Sequence, residues 1–214
     1  MLALKREGAL TISHIAEELQ LTGEAVRQQL LQLQREGWIE AKVNRTHERG
    51  RTGRPATSYS LTEAGDHLFP KNYDLLNVAV LDAVTTEFGS ESAKKVLRRV
   101  SDERVGAIKP GVADLPMENR VEALRNLYSE NDPYMEVEKV DDGFLLVERN
   151  CPYFNTAMQR PALCSISVDT LIRVLGVRVE REERFQDGAG RCVFHIYAKE
   201  PVDPDSWAFK LESE

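Results

Sequence analysis

Two amphipathic helix patterns joined by a short turn occur near the start of the 214-residue chain, and they limit the architecture of its first part. In residues 12–19, apolar side chains recur at the three- and four-residue spacing of one helix face. Thr22 then follows as a favourable N-cap for a second helix that extends to about Glu36. The pattern predicts a helix-turn-helix. The residues expected on the buried side of the second helix are Val26, Leu30 and Leu33.

A hairpin with a basic loop is predicted directly after the second helix. Residues 38–43 and 57–61 have the composition of paired strands. Between Lys42 and Arg54 there are five Lys and Arg residues against one Glu, although residues 1–69 as a whole carry nine basic and nine acidic residues. A basic loop at this place is typical of the wing of a winged helix, which contacts DNA while the helix occupies the major groove.

The candidate DNA contacts follow from this arrangement. Arg27 and Gln28 on the second helix match the edges of guanine and adenine, respectively. Thr22 at the helix start and three loop arginines are expected to contact phosphates, with a solvated surface charge as the alternative for each arginine. These loop arginines are Arg49, Arg51 and Arg54. The expected partner is double-stranded DNA with a palindromic operator, because helix-turn-helix proteins usually bind two half-sites as dimers.

The central part of the chain begins with a helix that is unusually apolar. Over residues 73–88 the apolar positions form a wide stripe, which must be covered by the same domain or by a second subunit. We therefore expect a homodimer that forms partly through this helix. Two further helices are predicted over about residues 90–109 and 118–130.

Two β-hairpins are predicted in the rest of the chain. The first has strands at about residues 134–140 and 144–149, and the second has strands at about 177–185 and 191–197. The expected fold class is α+β. The predicted domains are a winged helix-turn-helix DNA-binding domain at 1–69, a helical linker and dimerisation region at 70–110, and a mixed α/β sensor domain at 111–214.

All three cysteines of the chain lie within the last of these regions. Cys151 precedes a proline at a turn after a predicted strand. Cys164 lies near the start of a helix predicted over about residues 162–175, on its inward face. Cys192 is expected to point inward from the returning strand of the second hairpin. Three thiols from a loop, a helix start and a strand start are therefore expected to converge on one site.

The chemistry of three thiolates suits an iron–sulfur cluster, or a copper or zinc ion. His195 is the obvious fourth ligand by spacing, but three steps along a strand place it on the face opposite Cys192. A zinc site with three cysteines and this histidine is therefore not favoured. No nucleophile–base pair or cofactor motif is evident, so we expect that the chain is not an enzyme, with an iron–sulfur or thiol enzyme as the alternative.

The spacing of residues around the cysteines resembles that of a known family. Asn150-Cys151-Pro152 is followed by Cys164, with twelve residues between the two cysteines, and then by Gly188-Ala189-Gly190-Arg191-Cys192. This arrangement resembles the sensor domain of SufR-type repressors. The run from Gly53 to Gly65 is similar to the wing of ArsR, MarR and DeoR regulators. The resemblance implies an iron–sulfur cluster, 4Fe-4S or 2Fe-2S, bound by three cysteines in a homodimer that represses cluster-assembly genes and releases DNA when the cluster is lost.

The resemblance leaves the fourth ligand of such a cluster open, because the segment after Cys164 lacks the acidic start common in that family. An exogenous small molecule, water or a nearby carboxylate remains a candidate. The carboxylates considered are Glu182, Glu183 and Asp187. Haem bound through Cys151-Pro152 and a direct thiol redox switch are alternative signals.

The cellular location is expected to be cytoplasmic, without membrane association. No run approaches the roughly 18 apolar residues of a membrane span. The N-terminal residues lack the apolar segment of a signal peptide. An odd, low cysteine count without an export signal also favours a reducing compartment over structural disulfides.

Overall fold

A computed structural model of the chain describes residues 1–43, 56–130, 132–204 and 206–212. The chain divides into two compact units, Met1–Lys71 and Asn72–Glu214. Each unit combines helices with an antiparallel sheet, so the fold is mixed α+β as predicted. In the described residues, no helix has both the length and the apolar character that crossing a bilayer requires.

The first unit contains a three-stranded sheet and short helices. Its elements are α1 (Leu2–Glu7), β1 (Leu10–Thr11), α2 (Ile12–Leu19), α3 (Gly23–Arg35), β2 (Ile39–Val43), β3 (Thr57–Leu61) and α4 (Glu63–His67), and the strand order is β1-β3-β2. Thr11, Thr22 and Thr62 each accept a hydrogen bond from the backbone N–H group three residues later, which begins α2, α3 and α4. Val26 and Leu30 lie on the buried face of α3, as the apolar spacing of this helix predicts.

The second unit contains a four-stranded antiparallel sheet covered by helices. Its elements are α5 (Tyr73–Phe88), α6 (Ser90–Val112), α7 (Met117–Tyr128), β4 (Glu136–Val140), β5 (Gly143–Glu148), α8 (Phe154–Gln159), a 3-10 turn (Pro161–Cys164), α9 (Ser165–Leu175), β6 (Val177–Glu183), a 3-10 turn (Phe185–Asp187) and β7 (Cys192–Pro201). The two predicted hairpins, β4–β5 and β6–β7, join through β5 and β7. Helices α5 and α6, which the sequence pattern assigns to a separate region at 70–110, lie in this unit.

The inner face of the sheet forms the main core. In the register of β5 and β7, Phe144 pairs with Ile196 and Leu146 pairs with Phe194, so their side chains share one face. Helix α9 packs in this core and buries eight of its eleven residues. At the first residue of β5, a Cβ atom on Gly143 would lie 1.8 Å from the Ile196 carbonyl oxygen. Only glycine therefore lets the two strands approach at this point.

A buried polar network fixes α9 against α6. Ser101 donates a hydrogen bond to the Asp169 carboxylate over 2.5 Å, and the Trp207 indole N–H donates to the same carboxylate over 3.0 Å. The Arg173 guanidinium lies 3.3 Å from it and neutralises its charge. Because the buried carboxylate is fully partnered, the network orients α9 without leaving an uncompensated charge.

The start of α9 differs from the prediction. The helix expected from about residue 162 begins at Ser165, and Cys164 ends the preceding 3-10 turn instead of occupying a helix face. Pro161 fixes its own backbone angle and provides no N–H group, and short 3-10 turns are common at helix starts. Apolar spacing does not separate one such turn from the first turn of an α-helix.

Candidate functional site

The three cysteines line one pocket in the second unit. Cys151 lies in the turn after β5, Cys164 ends the turn before α9, and Cys192 begins β7. Cys192 is buried and the other two are partly buried. The apolar wall consists of Phe154, Ala157, Met158, Leu163 and Phe185. The space between these side chains is about 20 Å³, so a group larger than a water molecule binds only when they move apart.

A buried carboxylate holds the chain that leads into Cys151. Asp132 is 1% exposed and accepts hydrogen bonds from the backbone N–H groups of Arg149 and Asn150, over 2.5 and 2.9 Å. It also accepts one from the N–H group of Tyr134. Because these bonds fix the end of β5 and the turn after it, they fix the direction in which Cys151 leaves the sheet.

Each cysteine sulfur accepts a hydrogen bond. The backbone N–H groups of Tyr153 and Phe185 donate to the sulfurs of Cys151 and Cys192, respectively. The Gln186 side-chain amide donates to Cys164 Sγ over 3.1 Å. Hydrogen bonds to sulfur stabilise negative charge on it, and they are one of the features by which proteins tune thiolate-bound iron.

The protonation of two thiols is governed mainly by their burial. Burial raises the pKa of Cys151 to about 12, and the nearby carboxylate of Glu148 contributes in the same direction. Burial also raises the pKa of Cys192 above its ordinary value. Both groups are therefore thiols at neutral pH, and a bound metal would replace their protons.

Arg181 brings a buried positive charge to the same pocket. Its side chain is 4% exposed, and one terminal nitrogen lies 3.1 Å from a carboxylate oxygen of Glu212 without hydrogen-bond geometry. The other terminal nitrogen donates to the Cys164 carbonyl oxygen over 3.1 Å. Burial opposes the charge of Arg181, but Glu212 and the neighbouring sulfurs raise its pKa above the ordinary value. Its Nε–H group has no hydrogen-bond partner in the described part of the chain.

Glu148 adds a carboxylate to the pocket and separates it from a larger cavity. It pairs with Cys192 in the register of β5 and β7, so the two side chains leave the sheet on the same face. Burial raises the pKa of this carboxyl, against an opposing effect of Arg181. Glu148 also lines a neighbouring cavity of about 230 Å³, together with Arg104 and Tyr153.

The carboxylates and the histidine considered from the sequence lie elsewhere. Glu182 bonds to His195 Nδ1 over 2.6 Å, and the Nε2 atom of the same ring lies 2.9 Å from Asp142. His195 therefore faces away from the cysteines, as the strand period predicts. Glu183 binds Arg191 through two contacts of 2.7 and 2.8 Å, and Asp187 pairs with Arg184 at 3.2 Å. Among the described residues that line the cysteine pocket, none of these four is present.

The segment that carries Cys164 contacts α5. Arg160, between α8 and the 3-10 turn, forms a two-point ion pair with Asp82 of α5, in which Nε lies 2.6 Å from one carboxylate oxygen. Leu81 of α5 and Leu163 pack against a small buried cluster. That cluster consists of Leu97, Ile166 and Phe209. A displacement of Cys164 would therefore act on α5 through both an ion pair and apolar contacts.

The DNA-contact candidates that the structure describes lie on α3. The Thr22 hydroxyl caps the helix. Arg27 and Gln28 are exposed, and both contact Glu24: the Arg27 Nε atom lies at 3.5 Å and the Gln28 amide donates over 2.9 Å. The remaining candidates, Arg49, Arg51 and Arg54, lie outside the described residues.

The sequence pattern missed three polar groups of the cysteine pocket. Glu148 continues the inward period of Phe144 and Leu146 on β5, and Arg181 continues that of Val179 on β6. Strand alternation therefore contained a signal for both, although charged residues are usually assigned to solvent. Gln186 lies in a turn, where no period predicts its direction.

Comparisons with known proteins give no relatives. No protein-family model matches the chain, no curated protein matches its sequence, and no solved structure matches its fold. Within the described residues, no group of three or more His, Cys, Asp or Glu side chains is spaced to hold a metal ion.

Proposed function

We propose that this chain is a homodimeric DNA-binding transcriptional repressor whose operator binding is controlled by an iron–sulfur cluster held by Cys151, Cys164 and Cys192. The observation that carries the proposal is the convergence of these three cysteines, from three separate elements, on one pocket beside the buried guanidinium of Arg181. The assignment of cluster-assembly genes as the target rests on the family resemblance alone.

The residues of the pocket fit the chemistry of such a cluster. Three cysteine sulfurs provide the soft ligands that iron–sulfur clusters use, and each already accepts a hydrogen bond. A cluster bound by thiolates carries negative charge, which is costly to bury without compensation. Arg181 offers that compensation through its buried positive charge and an Nε–H group without a described partner.

A bound cluster would supply a redox-sensitive cross-link between elements that the chain otherwise joins only through packing. Cys151 would tie the turn after β5, Cys192 would tie the start of β7, and both strands belong to one rigid sheet. Cys164 lies on a short segment outside this sheet. Ligation would therefore restrain mainly the Cys164 segment. The ion pair between Arg160 and Asp82 connects this segment to α5, so a change in its position would act on α5.

Helix α5 is the element through which we propose that two copies associate. None of its residues is buried in the single chain. Its exposed apolar residues include Tyr73, Leu75, Leu76, Val80 and Phe88. A surface of this kind usually marks a protein–protein contact. In a dimer, a shift of α5 would change the spacing of the two α3 helices from the roughly 34–36 Å that adjacent half-sites require.

The order of elements in the first unit supports its role as the DNA-binding domain. Helices α2 and α3 followed by the antiparallel strands β2 and β3 are the order of elements that a helix-turn-helix with a wing would have. Arg27 and Gln28 are exposed on α3, and contact with bases would exchange their bonds to Glu24 for bonds to DNA. The basic residues predicted for the wing would contribute the phosphate contacts.

The raised pKa values of Cys151 and Cys192 argue against these two thiols as a direct redox switch. Reactive redox cysteines usually have lowered pKa values, because the thiolate is the species that is oxidised. Burial raises the pKa of Cys151 to about 12 and raises that of Cys192 as well. These thiols would react slowly with oxidants, whereas binding of iron removes their protons directly.

The proposal is tested by anaerobic purification with iron and acid-labile sulfide counted per chain. Wild-type protein should contain both, with the visible absorption of a cluster. Cys164→Ser should lose both, whereas Met158→Leu in the pocket wall should keep them and serves as the matched control. Iron without sulfide would indicate a single ion or haem and would contradict the cluster.

Control of DNA binding needs a second measurement. An operator is selected from random DNA duplexes with the cluster-loaded wild type, and its affinity is then measured for the loaded and cluster-free protein. Loss of the cluster should weaken binding by roughly 5- to 150-fold, the usual range of coupling between two sites. Full affinity in the triple Cys→Ser variant would exclude control by the cluster.

A further inference from the structure

We propose that Glu148 supplies the fourth protein ligand of the cluster, at the coordination position that the three cysteines leave. This inference rests on the proposed function, because it concerns the same pocket. Glu148 is not one of the carboxylates considered from the sequence. Those three carboxylates, of Glu182, Glu183 and Asp187, form ion pairs outside the pocket.

The position of Glu148 in the sheet is the first argument. Its register partner on β7 is Cys192, and side chains of directly paired residues lie about 4.5–5.5 Å apart at their Cβ atoms. Cys151 follows three residues later, after the turn that Asp132 fixes. Glu148 thus lies between two of the three cysteines, and it lines their pocket together with Cys164.

The second argument is that the carboxylate of Glu148 is not otherwise used. Across the described part of the chain, it forms neither a hydrogen bond nor an ion pair, although Arg104 and Arg181 act on it electrostatically. By contrast, Asp132 accepts three backbone hydrogen bonds and Glu212 pairs with Arg181. A partly buried carboxylate without a bonded partner carries a desolvation cost, and coordination to iron would remove that cost.

The third argument concerns chemistry and access. Iron accepts carboxylate ligands as well as thiolates, and an oxygen ligand exchanges more readily than sulfur. Ligation by Glu148 would be a simple exchange, in which a carboxylate oxygen replaces a water molecule on iron without electron transfer. Because Glu148 also borders the 230 Å³ cavity, small molecules that enter there would reach this position of the cluster before the cysteine positions.

The test compares Glu148→Gln and Glu148→Cys with the control Glu183→Gln. The measurements are iron and sulfide content, Mössbauer spectra, and the rate of cluster loss to the chelator EDTA under anaerobic conditions. Wild type and the control should show one iron site that differs from the thiolate-bound sites. Glu148→Cys should make that site resemble the others, and Glu148→Gln should lose iron about tenfold faster than wild type, because a ligand has been removed.

The outcomes separate this inference from the proposed function. Wild-type protein without iron and sulfide would overturn both. Wild-type protein with a cluster, together with spectra and loss rates that Glu148→Gln leaves unchanged, would overturn the role of Glu148 alone. If Glu148→Gln fails to fold by circular dichroism, Glu148→Cys decides: an all-thiolate spectrum supports the inference, and an unchanged spectrum contradicts it.

Discussion

Arg181 is the residue that most restricts what the cysteine pocket can hold. Its guanidinium is almost completely buried, and a buried charge needs a nearby opposite charge. Glu212 lies close to Arg181, and Glu148 lines the same pocket. Burial raises the pKa of both carboxyls, and Arg181 opposes this effect in both. The guanidinium of Arg181 also lies beside the three sulfurs, where it would compensate the negative charge of an iron–sulfur cluster bound by three thiolates.

His195 provides a prediction about pH at the scale of one residue. Burial opposes its charged form, but Glu182 and Asp142 raise its pKa above the ordinary value. The stabilisation is therefore complete below the unfolded pKa of about 6.5 and is lost as the pH rises through the folded pKa. His195→Gln should lower the free energy of unfolding by about 1 kcal/mol at acidic pH and by less at alkaline pH.

The effect of His195→Gln is measured by urea unfolding of the full chain in a Trp38→Phe background. The fluorescence of Trp207 then monitors the unfolding of the second unit. Both proteins carry Trp38→Phe, so that the first unit contributes no tryptophan signal. A difference in unfolding free energy that stays constant from acidic to alkaline pH would show that the ring stabilises the sheet by packing alone, for example through its stacking on Tyr197 at 4.0 Å.

Strand alternation predicted the direction of individual side chains better than residue type did. The period of two placed Cys192 inward and His195 on the other face, and the structure agrees. The same period would have placed Glu148 and Arg181 inward, but charged residues are normally assigned to solvent. Their burial depends on partners from distant parts of the chain, such as Glu212, and no local pattern contains that information.

At the scale of elements, the sequence predicts types and positions well and the ends of elements less well. Helix α5 spans the predicted residues 73–88, and the turn between β4 and β5 lies between the two predicted strands, at residues 141–142. The start of α9 was wrong by three residues, because apolar spacing does not distinguish a 3-10 turn from α-helix. The packing of the Cys164 segment on α5 could not be predicted, since it joins residues 78 positions apart.

The ion pair between Arg160 and Asp82 tests whether this packing transmits the state of the cluster. Asp82→Asn removes the charge while it leaves the cysteines intact. The cluster content should stay unchanged, and the ratio of operator affinities between loaded and cluster-free protein should fall about two- to fivefold. The effect is modest because both side chains of the pair are exposed, and solvent screens their interaction.

Asp74→Asn on the same helix serves as the matched control for Asp82→Asn, because it removes an equal charge near the start of α5. It should leave the affinity ratio at the wild-type value. An equal reduction in both variants would mean that the net charge of α5 matters and that the contact with Arg160 does not. An unchanged ratio in Asp82→Asn would assign the coupling to the apolar contacts of Leu81 and Leu163.

For the whole molecule, the proposed function requires that a site in one unit control DNA binding by the other. The two units have separate cores. The proposed dimer would meet this requirement, because the relative placement of two copies would set the distance between their DNA-binding helices. The cluster then needs to change only the contact between subunits. In this proposal, α5 both forms the contact between subunits and responds to the state of the cluster, so dimerisation and the control of DNA binding depend on the same helix.

Replacement of Leu76 and Val80 by lysine tests whether α5 forms the subunit contact that operator binding requires. The two residues are four positions apart on α5, and they are 61% and 53% exposed in the single chain. Two lysines at a subunit contact would bury positive charge without partners, so the double variant should be monomeric by sedimentation equilibrium at micromolar concentration. Because a monomer binds one half-site, affinity for the full operator should fall by about a hundredfold or more.

Tyr134→Lys provides the control for added charge, since Tyr134 is 68% exposed and lies away from α5 in the chain. It should remain dimeric and bind the operator normally. The α5 double variant should also keep its full complement of iron and sulfide, because the cysteine pocket belongs to a single chain. A dimeric double variant would place the subunit contact elsewhere. A monomeric one with wild-type affinity would mean that one copy suffices for DNA binding, and control through half-site spacing would then be excluded.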